Sequence, residues 1–300
     1  MRAPARPDNP TSRTLIVSAD DFGLSFEVNE AIERAHCDGI LRAASLMVAA
    51  PATADAVERS RRLSTLHVGL HLVLVNGKPA SPPERVTALI DEDGNFPTNL
   101  GAAGVRYFFV PEARRQLEAE IRAQFEAFAA TGLALDHVNA QNHFHVHPTV
   151  LSLILKIGPE FGMRAVRVPR EPFFASWKAS RDDFWPRFAN AFFLWPWLTL
   201  MHQRLKLAGL ATNDAVFGMN DTGRMSAGRV VALLANLPPG VSEMYFHPAT
   251  RPWVNVDPAI ANYDFSGELR ALMSDEVIAA LRRKGLAPSA FSDLIEPHAA

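Results

Sequence analysis

Two carboxylates stand side by side near the start of the chain, Asp20 and Asp21 in the run SADDFG. Further on, the stretch DHVNAQNHFHVHP holds four histidines, His137, His143, His145 and His147. Neighbouring acids can divide labour, one ligating a metal ion while the other takes a proton, provided both lean into one pocket. Their plainer alternative is to cap the helix that follows, a place that favours Asp and Ser. His71 interrupts GLHLVL, an apolar run that reads as buried strand, where an unpartnered imidazole costs about 1–3 kcal/mol. A metal ion would satisfy it. His143, His145 and His147 recur at every second residue, which on an extended chain places their rings on one side. Metal binding is the favoured reading of that cluster, with helix capping and supporting hydrogen bonds as the alternative for two of the three.

Asp21, His71 and one histidine of the cluster make a two-histidine, one-carboxylate set with positions open to water and substrate. Such a set suits Zn, Mn, Co or Fe(II), whereas Mg prefers more oxygen ligands. His247, in YFHP, brings an ionisable group from the far end of the chain, with a buried structural histidine as its alternative. His36, His67 and His202 fall at a strand start or on helical patterns and read as structural.

The elements that must position these residues alternate. Leu15, Ile16 and Val17 form a short apolar strand that delivers the acids to its C-terminal end, where α/β proteins keep their chemistry. Val28, Ala31, Ile32 and Ala35 then follow helical spacing. Strand 40–50, helix 51–63 and strand HVGLHLVL continue the pattern, and 75–110 leaves it as a first excursion over the rim. Next come a helix over 111–131, strand LALDHVNA, a helix opening at Pro148 and strand AVRVP at 165–169. A second, aromatic-rich excursion spans about 170–212. A strand near 215–219, a helix over 226–237, strand SEMYFHP and a helix over 275–284 close the chain. The fold class is α/β, an irregular or incomplete (β/α) barrel with parallel strands and two rim insertions; an open doubly wound sheet is the runner-up. No GxGxxG or P-loop run follows a strand, which removes the dinucleotide and nucleotide versions of that runner-up.

Composition agrees with one domain over 14–300: 300 residues, 48% apolar and 21% charged, with ample material for a core. A formal net charge of -2 without a basic stretch argues against nucleic acid as a partner. The single cysteine, Cys37, excludes an internal disulfide and fits a cytoplasmic setting. Residues 1–13 carry three Arg and three Pro without a signal-peptide core and read as a disordered leader. The apolar run from Phe184 to Leu200 is broken by Pro186, Arg187, Asn190 and Pro196, which is wrong for a spanning helix.

Taken as an ordered set, LIVSADDFGLS, GLHLVLVNGKP, DHVNAQNHFHVHP and MYFHPA resemble the YdjC-like family of carbohydrate deacetylases, and within it the hopanoid-associated branch. The resemblance covers nearly the whole chain. It implies an irregular (β/α) barrel that removes acetyl from N-acetylated amino sugars with one divalent ion, Zn or Mg. It further implies Asp20 as general base, Asp21 and His71 as metal ligands and His247 as general acid. One departure stands out: Gln141 occupies the place of the usual third histidine ligand, and Asn139 that of an aspartate before it. Glutamine is a poor ligand beside imidazole, so His143 is the favoured third ligand, with Gln141 through its amide oxygen as the alternative.

The second excursion offers more aromatic surface than a sugar needs. A packed helical hairpin accounts for part of it. The remainder, with Phe193, Trp195 and Trp197 as lipid contacts, reads as an apolar lid or a contact with the inner membrane face. With the hopanoid resemblance, this implies a glycolipid substrate, N-acetylglucosaminyl on a bacteriohopanetetrol-type lipid. Two other functions compete, a glycoside hydrolase, which needs carboxylates set apart across a sugar, and a non-catalytic glycolipid-binding protein whose metal site has decayed at Gln141.

Overall fold

The computed structural model describes residues 12–254 and 256–295. Its centre is a curled sheet of parallel strands in the order β4-β3-β2-β1-β6-β5: β1 Arg13–Phe22, β2 Ala43–Leu46, β3 His67–Leu72, β4 Leu135–Ala140, β5 Ala215–Phe217 and β6 Gly240–Phe246. A two-residue strand, β7 Pro288–Ser289, pairs with β1 at Leu15 and Ile16. The strands form a half-barrel flanked by helices, the incomplete (β/α) barrel that the alternating pattern implies. Most of the expected leader lies outside the described residues, and Arg13 at its end already belongs to β1.

Parallel strands buried on both faces read as apolar runs, and β1 shows why: Leu15, Ile16, Val17 and Ala19 are almost wholly buried. Helix α1, Phe26–Cys37, starts at Ser25, whose hydroxyl accepts from the Val28 N–H at 3.2 Å. The helix therefore has its cap without Asp20 or Asp21, and the capping alternative for the acid pair falls away. Helices α2 Thr53–Arg62, α4 Pro111–Ala130, α5 Pro148–Ile157, α8 Ala227–Ala235 and α10 Asp275–Arg283 fall within a few residues of their expected places. Their sequences carry apolar spacing with Pro or Ser at the start, the strongest local signal a helix leaves.

Four elements depart from expectation. The first excursion contains a helix, α3 Leu100–Phe109, capped by Asn99 and masked in the sequence by Gly101 and Gly104. Helix α9, Phe265–Leu272, capped by Asp264, and the two-residue strand β7 follow the last long strand where the sequence reading places no element. AVRVP makes only isolated bridges, Val138 with Val166 and Ala165 with Ala211, between β4 at one end of the sheet and the residues just before β5 at the other. The Asn213 side chain completes that seam, accepting from the Val168 N–H at 2.7 Å and donating to the Val168 carbonyl at 2.8 Å. The second excursion folds as α6 Phe173–Ser180 and the 24-residue α7 Phe184–Leu207, with Pro196 inside it. Among the described residues, no helix is long and apolar enough to cross a membrane.

At the N-terminal end of the barrel, Asp136 fastens the turn Ser292–Leu294. Its carboxylate accepts from His137 Nδ1 at 2.7 Å and from the Ser292 N–H at 2.8 Å, while the His137 ring stacks on Phe291. The ring also needs Gly69 on β3, since a Cβ there would lie 2.6 Å from it. Burial raises the Asp136 carboxyl, but the bonds from His137 and Ser292 outweigh it and hold the group below the usual range. Such a carboxylate stabilises the fold fully above its unfolded value, near 3.9, and loses that contribution as pH falls through its lower folded value. Asp136→Asn is therefore expected to cost about 1–3 kcal/mol near neutral pH, with the gap from wild type closing below about pH 4 in thermal or urea unfolding.

Candidate active site

At a regular strand end, Asp20 and Asp21 would point to opposite faces. The β1–β2 register slips between Ala19 and Phe22, and Asp21 takes a left-handed φ of 64°. This irregularity turns both acids toward one place. Asp20 Oδ1 accepts from Ser45 at 2.9 Å and from Asn139 Nδ2 at 3.0 Å. Asp21 Oδ1 lies 3.3 Å from His71 Nε2. His71 Nδ1 in turn meets Asn139 Oδ1 at 2.8 Å and Ser45 at 3.0 Å, so the two acids share one hydrogen-bonded assembly across β1, β2, β3 and β4.

Beneath this assembly sits a residue that the motif reading did not single out. Arg167 is wholly buried and spends its guanidinium on two carboxylates. It reaches Asp20 through Nη1 at 2.6 Å and Nη2 at 2.9 Å. It reaches Glu243 through Nε at 2.9 Å and Nη2 at 2.7 Å. Ser18 donates to Glu243 Oε1 at 2.6 Å, and the Arg167 guanidinium lies 4.7 Å from the Tyr245 ring centre. Burial pushes the Asp20 carboxyl up, but Arg167, aided by His71, overrides it and holds the group well below the usual carboxylate range. For His71 burial works downward, while the hydrogen bond it donates to Asp21 when protonated and the charges of both acids prevail and raise it. A sequence signal for Arg167 and Glu243 did exist, since each interrupts an apolar strand as His71 does.

The histidine cluster behaves differently from its spacing. Residues Gln141–Val146 form a tight 3-10 stretch, not an extended chain, with Asn142 and His143 at φ 52° and 53°. His145 is buried, with Nε2 on the Arg167 carbonyl at 3.0 Å; burial, then Arg167, pushes it down to about 3, and it supports the Arg167 backbone as a neutral ring. His147 stacks on Phe144 at 5.8 Å. His143 Nε2 meets the Tyr245 hydroxyl at 3.0 Å, and burial followed by Arg167 keeps it well below the usual histidine range. Gln141 donates to the Asn76 carbonyl at 3.3 Å, while its Oε1 is buried without a hydrogen-bond partner. Among the described residues, no three His, Cys, Asp or Glu side chains gather as a metal cluster. Asp21 and His71 meet, and His143 stands across the site at Tyr245.

His247 completes the mouth. Its ring lies 5.5 Å from both Tyr245 and Tyr263, its backbone N–H donates to Glu268 at 2.6 Å, and its Nδ1 is 3.4 Å from the Thr222 hydroxyl. An apolar cavity of about 590 Å³, whose lining begins three residues past Arg167 in the chain and includes none of Asp20, Asp21, His71 and His247, opens among Arg170, Phe173, Phe188, Phe193, Trp195 and Met219. Phe193 and Trp195 thus line it, Trp195 under the Arg170 guanidinium at 5.6 Å. Trp197 does not line it; its indole N–H donates to the Val146 carbonyl at 2.6 Å and ties α7 to the histidine segment.

A family model described as YdjC-like protein matches residues 14–283. The chain belongs to the YdjC-like family. Among similar members is a carbohydrate deacetylase of Brevibacillus brevis, 39% identical over 173 residues, which are 56% of this chain and 63% of that protein. Another, from Vibrio vulnificus, is 40% identical over 143 residues, 48% of this chain and 54% of its own. The chain thus spans little more than half the length of these relatives. A third carbohydrate deacetylase, from Thermoanaerobacter pseudethanolicus, is 27% identical over 240 residues, 78% of this chain and 80% of that one. The YdjC-like half-barrel is also similar to a solved structure from Enterococcus faecalis V583, with a TM-score of 0.70, 24% identity and coverage of 95% of this chain and 99% of that one.

The Arg167 knot gives a stability test. Arg167→Met leaves Asp20 and Glu243 buried without their countercharge and is expected to lower the unfolding free energy in urea by about 3–5 kcal/mol. Arg167→Lys, a point charge that cannot reproduce the forked contacts, is expected to recover only part of the loss.

Proposed function

We propose that this YdjC-like chain is a carbohydrate N-deacetylase that cleaves the acetamide of an amino sugar carried on an apolar aglycone. The observation that carries the reading is the assembly of Asp20, Asp21 and His71 around Ser45 and Asn139, on strands far apart in sequence.

The same assembly bears on the expected divalent ion. Asn139 Nδ2 donates to Asp20, so its Oδ1 accepts from His71 Nδ1–H. That leaves His71 Nε2 as a bare lone pair 3.3 Å from the Asp21 carboxylate, an arrangement that calls for a cation or an added proton between them. Asp20, Asp21 and Glu243 also outnumber Arg167 in charge. These residues fit a divalent ion held by Asp21 and His71, with Gln141 Oε1 as the amide oxygen candidate and His143 as the imidazole alternative for a third ligand. Zn or Mg bound there supplies Lewis acidity and a water of lowered pKa.

The chain's own groups then do the rest. Asp20 is anionic throughout the neutral range, and Oδ2, which among the described residues accepts only from Arg167 Nη1, keeps a lone pair for the proton of an attacking water. Arg167 fixes that carboxylate in place and limits its basicity. His247, with Thr222 against Nδ1, is the group to protonate the departing amine. The water oxygen joins the acetyl carbon, the C–N bond breaks, and acetate and the free amine leave. The apolar cavity walled by α6 and α7 favours an aglycone with a large hydrocarbon body, of the kind a hopanoid glycolipid presents.

A second reading is a non-catalytic glycolipid-binding protein, favoured by the missing third imidazole or carboxylate at Gln141. Acetate release separates the two. The deacetylase reading expects acetate from N-acetylglucosaminyl lipid and its loss by at least about a hundredfold in Asp20→Asn, with bound metal unchanged by elemental analysis. Acetate release at the wild-type rate by Asp20→Asn would remove Asp20 as the base. Gln141→His is expected to slow metal loss to a chelator, since imidazole replaces a weak amide ligand; an unchanged rate would place the third ligand elsewhere.

A further inference from the structure

Both rim excursions carry aromatic side chains that the fold leaves in solvent. On α7 these include Phe192, Phe193 and Trp195, exposed at 63%, 76% and 56%. On α3, which contributes nothing to the apolar cavity, Val105 and Phe109 are exposed at 61% and 71%. The two helices flank the same segment. Phe108 of α3 packs edge-on against His147 at 6.2 Å, and Trp197 of α7 bonds to the neighbouring Val146. Arg204 of α7 donates to Ser152, one turn into α5, at 3.1 Å.

A basic groove of about 460 Å³ runs among α3, α4 and α5, lined by Phe108, Arg114, Arg115, Glu118, Ser152 and Lys156, and Ser152 in it is the residue that α7 touches through Arg204. Glu118 there is paired with Lys156, and Arg115 with the neighbouring Glu112. Arg106 and Arg114 are exposed and form no ion pair among the described residues.

We infer that α3 and α7 together form a docking face for a lipid bilayer bearing anionic headgroups. Aromatic rings suit the boundary between headgroups and acyl chains, and unpaired arginines beside them suit phosphate. Patches of exposed apolar side chains on two separate helices are more than a monomer in water retains without use. A second copy of the chain is the poorer occupant: a symmetric pairing would set the free arginines of one copy toward those of the other, and the nearby glutamates are already engaged. The inference stands on this surface and not on the proposed reaction.

The test is co-sedimentation of the full chain, without substrate, with vesicles of phosphatidylcholine alone and of phosphatidylcholine mixed with phosphatidylglycerol. The wild type is expected to sediment with the mixed vesicles and to be released by salt. Val105→Ser with Phe109→Ser, and separately Arg106→Glu with Arg114→Glu, are each expected to weaken that partition at least about tenfold. Both pairs are solvent-exposed, and their unfolding curves should match the wild type. Absence of wild-type binding to either vesicle overturns the inference. So does a dimer in analytical ultracentrifugation that Phe109→Ser abolishes, which would assign the face to a second copy. Acetate assays on the N-acetylglucosaminyl lipid dispersed in detergent separate the two readings: vesicle binding without acetate release keeps the docking face and removes the reaction, and the reverse result does the opposite.

Discussion

One guanidinium organises the middle of this molecule. Arg167 is buried between Asp20 on β1 and Glu243 on β6, with its backbone carbonyl held by His145. Charges so placed survive only when their hydrogen-bonding capacity is used up, and here all three guanidinium nitrogens are engaged. The knot has a price in desolvation, offset by specificity: β1, β6 and the 165–168 segment can meet in only one register without leaving a carboxylate unpaired. Asp20 is thereby fixed as an anion, and the residual negative charge of the pocket is carried toward Asp21 and His71.

Much of the fold was legible because parallel strands and amphipathic helices leave different periods in the chain. The main helices fell close to their expected places, and the strand-end location of the acids followed from the Leu15–Val17 run. What escaped detection did so for physical reasons. Helix α3 is apolar around much of its circumference and contains two glycines, so neither propensity nor periodicity marked it. AVRVP looks like any buried strand, and only tertiary geometry reduces it to single bridges.

The site was legible in part. Asp20, Asp21 and His71 were named by type and place, and the structure brings them together. The spacing of His143, His145 and His147 suggested rings on one side, but two consecutive left-handed residues, Asn142 and His143, send them to different partners. Short-range spacing carries information only while the backbone stays regular. Arg167 and Glu243 carried the same signal as His71, a polar residue inside an apolar strand. That signal says a partner exists without saying which one, since the pair is separated by 76 positions in the chain.

The sheet curls only part of the way round, and the side left open is where the aromatic excursion departs and returns. Residues 165–168 and 211–213 form that edge, joined by lone bridges and by one asparagine side chain. Arg167 sits in the middle of it. The weakest stretch of the wall and the strongest charge contact thus share an address, three residues along the chain from Arg170 at the lining of the aromatic hollow.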